Sequence, residues 1–548
     1  MSIKRIKAKL RGEWYSTGLL AVCLALILVF FLLLVYPVSR IILRFNINDL
    51  RLLFERTDFV QVLFQSIFLS LCVSIIAIII ALVVSLFIRE QNHVMQKVFI
   101  VCFTMPILIP TISIGMGIMY LFSRNGLIYQ WLGLRINIYG FNGLLIGMVL
   151  NITPLAILQI YDVLRYEETH LHIEAKALCL SPLSRLYILT LPRVKTVLKR
   201  AFFATFLFSF SDFGINLMVG GRYRTLSLTL YQEIIGRMNF GRAAVISVFM
   251  WVPLLILFVV CMRKSAFSFK HNEQGTTTAL FFGIRGQVIS CALLIIIAAM
   301  FLLPIIAFML SSLRPTDITN PDIWQNYRAL IHLNLLRYLR NSLVIAICVS
   351  VFGTVLSCMT AYVASKARSP LARVINIVAL IPFSVPGLVI GLGFVIGYIA
   401  VPGLYSTFIP IICAVTINFF GVPYFLFLNN FALMGDEIEI SAKIFRIGWW
   451  DTLLRIYLPQ MKQTILEAMM FYFVNSMITI SAIVVMFRAR TMPLSILITQ
   501  FEGQLMIFRA AAVTTIIVAI NIVAKVIFYA CTAYVRSRLS PRGTRRAI

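Results

Sequence analysis

The sequence predicts an all-α membrane protein of about twelve transmembrane helices, built as two fused and duplicated six-helix halves. Three observations predict it. The 548 residues are 61% hydrophobic and only 12% charged, with a mean hydropathy of +0.95; soluble chains carry about 25% charged residues. Such a composition excludes a soluble enzyme, a secreted disulfide scaffold and a disordered chain. The apolar residues also gather into runs of about twenty, the length that crosses the hydrocarbon core as a helix with its backbone satisfied internally. Finally, Pro and Gly residues recur at a fixed spacing between the two halves.

In order along the chain, the runs read as spans at 17–42, 60–88, 98–122, 143–164, 200–220 and 243–262, then at 287–311, 341–365, 372–399, 405–431, 464–486 and 511–534. Polar residues such as Asp212 and Asn475 interrupt the fifth and eleventh. The first run is too long for a cleaved signal peptide and lacks a small-residue cleavage site, so it is expected to stay in the protein. Lys and Arg number 48 against 20 for Asp and Glu, a formal charge of +28. That excess sits between spans. It is larger on the side of the N-terminal basic cluster, the 164–200 loop and the tail from Arg536 to Arg546. The positive-inside bias then places both termini in the cytoplasm and needs no nucleic-acid partner. Lys525 lies inside the last span, where its long stem is expected to snorkel to the inner interface. The ten cysteines lie mostly inside apolar runs with no CxxC spacing and read as small buried hydrophobes.

The duplication is legible in the third and ninth spans. Pro106, Pro110, Gly115 and Gly117 match Pro382, Pro386, Gly391 and Gly393, each pair 276 residues apart. Gln65-Ser66 and Asn341-Ser342 share that spacing, while Leu191-Pro192 and Leu458-Pro459 are 267 apart, as are Arg242 and Arg509. The expected organisation is a first repeat at 1–263, a cytoplasmic linker at 264–286 and a second repeat at 287–548, the repeats sharing one orientation because six is even. A solute path is expected at the seam between them. Pro breaks the helix there and paired Gly lets backbones approach, so these eight residues, with the intramembrane carboxylate Asp212, are the pathway candidates.

After the fourth and tenth spans come the loops at about 165–199 and 432–463, each an amphipathic stretch followed by a Leu-Pro. These loops resemble the EAA loop of ABC importer permeases, the binding-protein-dependent inner-membrane components. The spacing from the family's Gly position to Leu-Pro is twelve residues in both loops, but the Gly positions hold Cys179 and Arg446. The family's Glu position falls on Ile173 and Ile440, with Glu174 and Glu439 one residue to a side. The resemblance implies a type I importer fold of the fused double kind, similar to ferric-iron, 2-aminoethylphosphonate and thiamine permeases. It implies that each loop docks one cytoplasmic ATP-binding subunit through Glu174, Ala175, Lys176, Ser181, Leu191 and Pro192, and through Glu439, Ala442, Lys443, Gly448, Leu458 and Pro459. No GxxxxGK[ST] loop is present, so ATP would be hydrolysed by partner subunits and this chain needs no cofactor. The five scattered histidines suggest no metal centre.

Each half also carries an outer Arg-x-Arg, at Arg222/Arg224 and Arg488/Arg490, with Arg242 and Arg509 further on. By the same resemblance these arginines meet acidic residues of a periplasmic or lipid-anchored substrate-binding protein; solvated arginines at helix ends are the plainer reading. The expected solute is ferric iron or an anionic phosphonate or sugar phosphate, and the expected location the bacterial inner membrane. Two other readings compete: an ion-driven secondary transporter of six plus six helices, and an inactive permease-like scaffold.

Overall fold

The computed structural model describes residues 17–55, 58–124, 126–165, 173–175, 177–262, 284–315, 322–367, 369–401 and 403–539. Both terminal segments, Lys176 and nearly all of the expected linker lie outside the described residues. Among those described, every regular element is helical.

The first half begins with α1 (Gly18–Leu43) and α2 (Phe59–Arg89). The third span is broken into α3 (His93–Thr104) and α4 (Thr111–Phe122), with a 3-10 turn at Met105–Leu108 between them and a bend of 101°. The bend has a local cause. Pro110 disfavours helical backbone at the residue before it, and Ile109 is extended at φ −120° and ψ 137°. Then follow α5 (Phe141–Arg165), α6 (Leu191–Ser211), the short α7 (Gly214–Val219) and α8 (Leu226–Tyr231), and α9 (Phe240–Met262).

In the second half, α10 (Ile284–Ser311) and α11 (Leu335–Lys366) precede another broken span, α12 (Pro370–Leu380) and α13 (Gly387–Tyr398), bent by 110° at Val385-Pro386. The pair α14 (Ile409–Asn418) and α15 (Gly421–Leu433) bends by 58°. After them come α16 (Glu437–Ile444), α17 (Lys462–Ile478), α18 (Leu494–Gly503) and α19 (Ile507–Leu539). Among the described residues, seven helices are long and apolar enough to cross a membrane, or up to ten if each bent pair is one span. The twelve expected spans are not all reached by that measure. At the fifth position α6 carries Arg193, Lys195, Lys199 and Arg200, and at the eleventh α17 is only 17 residues long.

Within each half the second, fourth and fifth spans pack together: α2 with α5 and α6, and α11 with α15 and α17. The first span of each half instead crosses to the other half, α1 onto α13 and α10 onto α4. Glycine makes this crossing feasible. A Cβ on Gly117 would lie 2.5 Å from the Pro304 carbonyl oxygen, and one on Gly393 3.0 Å from that of Pro37. Gly115 and Gly391 face inward within their own halves, where an added Cβ would lie 2.8 Å from the Met218 Cβ and 2.5 Å from the Ala482 carbonyl oxygen. A neighbouring contact exchanges its partners between halves: a Cβ on Gly214 would lie 2.6 Å from Thr111 Oγ1 in the first, whereas one on Gly387 would lie 2.5 Å from Ser481 Oγ in the second. One partner must be bare because the close-packed interface holds only one side chain.

Polar contacts also cross the seam. On α19, the Thr514 and Ser113 hydroxyls lie 2.8 Å apart, and Asn521 Nδ2 donates to the Leu108 carbonyl at 3.1 Å, a group the broken span leaves without its helical partner. Lys525 does not simply snorkel: its Nζ lies 3.2 Å from Thr104 Oγ1 of the first half. On the other side Trp251 Nε1 donates to Ser384 Oγ at 3.2 Å.

Candidate functional site: two cytoplasmic turns and the seam above them

Both loops after the fourth and tenth spans form a short helix closed by the same turn. The Leu180 N–H donates to the Ala175 carbonyl at 3.0 Å, and the Ile447 N–H to the Ala442 carbonyl at 2.7 Å. These are the long-range bonds of a Schellman ending, which needs a left-handed residue one position earlier. Cys179 and Arg446 supply it, at φ 55° and 54°. The glycine has gone but the backbone it would serve remains. A Cβ in this region costs about 1–2 kcal/mol. Cys179→Gly and Arg446→Gly should therefore each stabilise the chain by about 1 kcal/mol, read as a rise in thermal unfolding temperature in detergent. The outer ends of the re-entrant segments repeat the device at Met238 (φ 50°) and Leu505 (φ 57°), again 267 residues apart.

The closing turn decides which side chains are exposed. Ala175 and Ala442 turn into the bundle, each 4% exposed. Facing outward are Ile173 and Leu178 in the first loop, and Ile440, Ile444 and Phe445 in the second, with Leu178 75% and Phe445 74% exposed. Ile173 and Ile440, and Leu178 and Phe445, keep the spacing of 267. Sequence reasoning fixed on the polar motif residues and passed over this apolar face; the signal was there in Ile173 and Ile440 occupying the family's Glu position. Glu174 is exposed, whereas Glu439 is only 6% exposed and points inward, so it offers nothing to a partner in this conformation. Ser181 caps the next short helix, its hydroxyl accepting from the Ser184 N–H at 3.2 Å, and Gly448 accepts from Thr452 at the equivalent place. Widened π turns at Leu186–Thr190 and Thr452–Tyr457 lead into Leu191-Pro192 and Leu458-Pro459. A proline ring clashes with the carbonyl four residues back, and an extra residue in the turn relieves it.

Behind the second turn is a cavity of about 200 Å³ lined by Leu19, Tyr362, Lys366, Glu439, Lys443 and Trp449 among others. Lys366 ends α11 with its side chain 4% exposed. Its Nζ donates to the Met434 and Gly435 carbonyls at 2.5 and 3.2 Å, lies 3.8 Å from Asp436 Oδ1, and sits 5.6 Å from the Tyr457 ring centre. Tyr362 Oη donates to Glu439 Oε1 at 3.4 Å. Burial pushes the Glu439 carboxyl above its ordinary range, opposed by the Tyr457 and Tyr362 hydroxyls and by the charges of Lys366 and Lys443.

Toward the outside, Pro106, Pro110, Pro382 and Pro386 are buried at the bends. Asp212 is also buried, and its Oδ2 accepts from the Ile215 N–H at 3.0 Å, capping α7. Its carbonyl accepts from Ser227 Oγ at 2.6 Å, as the Thr479 carbonyl does from Ser495 at 2.9 Å. Ser66 and Ser342 accept from the first N–H of α8 and α18, at 2.8 and 2.6 Å. These matched contacts fold each re-entrant segment back onto the second span of its half. At the rim Arg222, Arg224, Arg488 and Arg490 are exposed and Arg242 and Arg509 half-buried. The Arg488 guanidinium lies 4.7 Å from the Tyr405 ring centre.

Among the described residues, apolar helices broken at proline, a polar seam and a pair of exposed turns fit a membrane permease. Residues 353–537 match the family of binding-protein-dependent transport system inner membrane components. A putative ferric transport system permease protein of Haemophilus influenzae is 22% identical over 512 residues, covering 88% of this chain and 80% of that one. A ferric transport system permease protein of Actinobacillus pleuropneumoniae is 21% identical over 420 residues, covering 71% of this chain; the chain spans 59% of that relative's length. Over residues 353–537 the chain thus matches this permease family, and along most of its length it resembles the ferric transport permeases.

Proposed function

We propose that this chain carries ferric iron across the inner membrane along the seam between its two halves. Each cytoplasmic turn docks one ATP-binding subunit, and the arginine rim receives a substrate-binding protein. Both termini then lie in the cytoplasm. The observation that carries this reading is the pair of exposed apolar turns, one per half and 267 residues apart, on a scaffold whose halves interlock at the bent spans. The relatives' names favour ferric iron over a phosphonate or sugar phosphate.

The test is reconstitution in liposomes with the ATP-binding subunits and binding protein. ATP-dependent uptake of radiolabelled ferric iron is expected; uptake of a phosphonate without iron, or gradient-driven uptake without ATP, defeats the proposal. For the rim, reversing Arg222, Arg224, Arg488 and Arg490 to Glu should abolish stimulation of ATP hydrolysis by the binding protein and leave basal hydrolysis intact. Opposite charges steer docking, and like charges facing each other cost several kcal/mol. Unchanged stimulation would move the docking surface elsewhere.

A further inference from the structure

The two halves share their backbone turns, but the residues that cage the second one differ from those at the corresponding described positions of the first. The residues 276 positions before Tyr362 and Lys366 are Leu86 and Glu90, and the residue 267 before Tyr457 is Thr190. In the second half a buried ammonium at the end of α11 holds two carbonyls that follow α15, Asp436 at the head of α16, and the face of Tyr457 beyond α16. Tyr362, one turn earlier on α11, donates to Glu439 on α16 itself. Tyr362 also packs on Phe431, Trp449 and Tyr457, at centroid distances of 5.6, 6.4 and 5.9 Å. The same cavity is walled by Leu19, and Trp449 Nε1 is 3.1 Å from where a Cβ on Gly18 would lie. The start of the first half's α1 thus rests on the second half's turn.

We propose that Lys366, Tyr362 and Glu439 form a buried latch that fixes the second turn to α11, so that this force-transmitting contact moves together with the membrane helices. Lys366 and Glu439 are then positioning residues: they touch neither solute nor nucleotide, and they act by preventing α16 from tilting independently of the membrane helices. A buried charge is costly unless it is paired and hydrogen-bonded, so removing one member releases its partners toward water and loosens α16. The mechanical part rests on the docking proposed above; the latch itself does not.

Two measurements on the full chain, alone in nanodiscs and in complex with its partners, test this with Lys366→Met, which keeps an apolar stem, and Glu439→Gln, which keeps the size. The first is hydrogen exchange of amides 437–447 and 177–190 in the chain alone. Protection should fall over 437–447 in both variants and stay unchanged over 177–190; equal loss in both turns, or none, overturns the latch. The second is iron moved per ATP hydrolysed. It should fall about tenfold in Lys366→Met, with hydrolysis reduced far less than uptake. Uptake and hydrolysis falling in proportion would mean the cage only stabilises the fold, and overturns the mechanical claim. Should Lys366→Met fail to fold, Tyr362→Phe removes only the hydroxyl on Glu439 and gives the same readouts with a smaller change. If replacing 439–449 leaves the ATP-binding subunit bound, the docking proposal fails instead, a result on which the exchange measurement does not depend.

Discussion

Replacing Leu178 and Phe445 together with Asp is expected to abolish co-purification of the ATP-binding subunits while leaving the chain folded. Both side chains are about three-quarters exposed, so neither contributes much to the bundle. Each stands at the tip of a turn whose inward residue, Ala175 or Ala442, is almost fully buried. A large apolar side chain presented this way is an interface anchor, and truncating one costs about 2–4 kcal/mol of binding. Aspartate adds a charge that docking would strip of water. Each turn alone should weaken association about thirtyfold or more, and the double variant should leave none detectable. Gel filtration and helical circular dichroism would show that the chain itself is intact. Full retention of the subunits would place docking on another surface.

The second large effect is expected at the crossing of the halves. Gly117→Ala puts a methyl 2.5 Å from the Pro304 carbonyl oxygen, a backbone atom that cannot rotate away; Gly393→Ala puts one 3.0 Å from that of Pro37. Overpacking of this kind costs about 1–3 kcal/mol, and Gly117→Ala should stand at the upper end. The strain falls where α10 of one half meets α4 of the other, so transport should suffer more than expression. Gly503→Ala is the control, since nothing lies within 4 Å of its added methyl. Thermal unfolding and iron uptake of the three variants would check the order Gly117, Gly393, Gly503. A Gly117→Ala chain as stable and active as the parent would remove the close crossing.

How much was legible in the sequence varies by element. The bends at Pro110 and Pro386 were, because proline acts on its immediate neighbour. The paired glycines were legible as places of close approach, but not which backbone approaches: Gly115 serves its own half and Gly117, two residues on, serves the other. Asp212 read as a carboxylate inside a span, with a structural role open beside a pathway one; that it caps α7 was not legible, because the N–H it satisfies belongs to a break that hydropathy does not register. Glu439 read as a partner contact and faces inward, where Tyr362, 77 positions earlier in sequence, donates to its carboxylate.

By itself the sequence determined the apolar, helical class of the chain, the bends at Pro110 and Pro386 and the fixed spacing between corresponding turns. All of these are written in local composition, helix-breaking residues and fixed spacing along one chain. Only the tertiary structure decided that the first spans exchange halves, that Cys179 and Arg446 hold the left-handed place of an absent glycine, and that one turn is caged by a buried ammonium. Each depends on which distant groups come within a few ångströms, and sterics and desolvation at that range set the outcome without leaving a periodic trace in the chain.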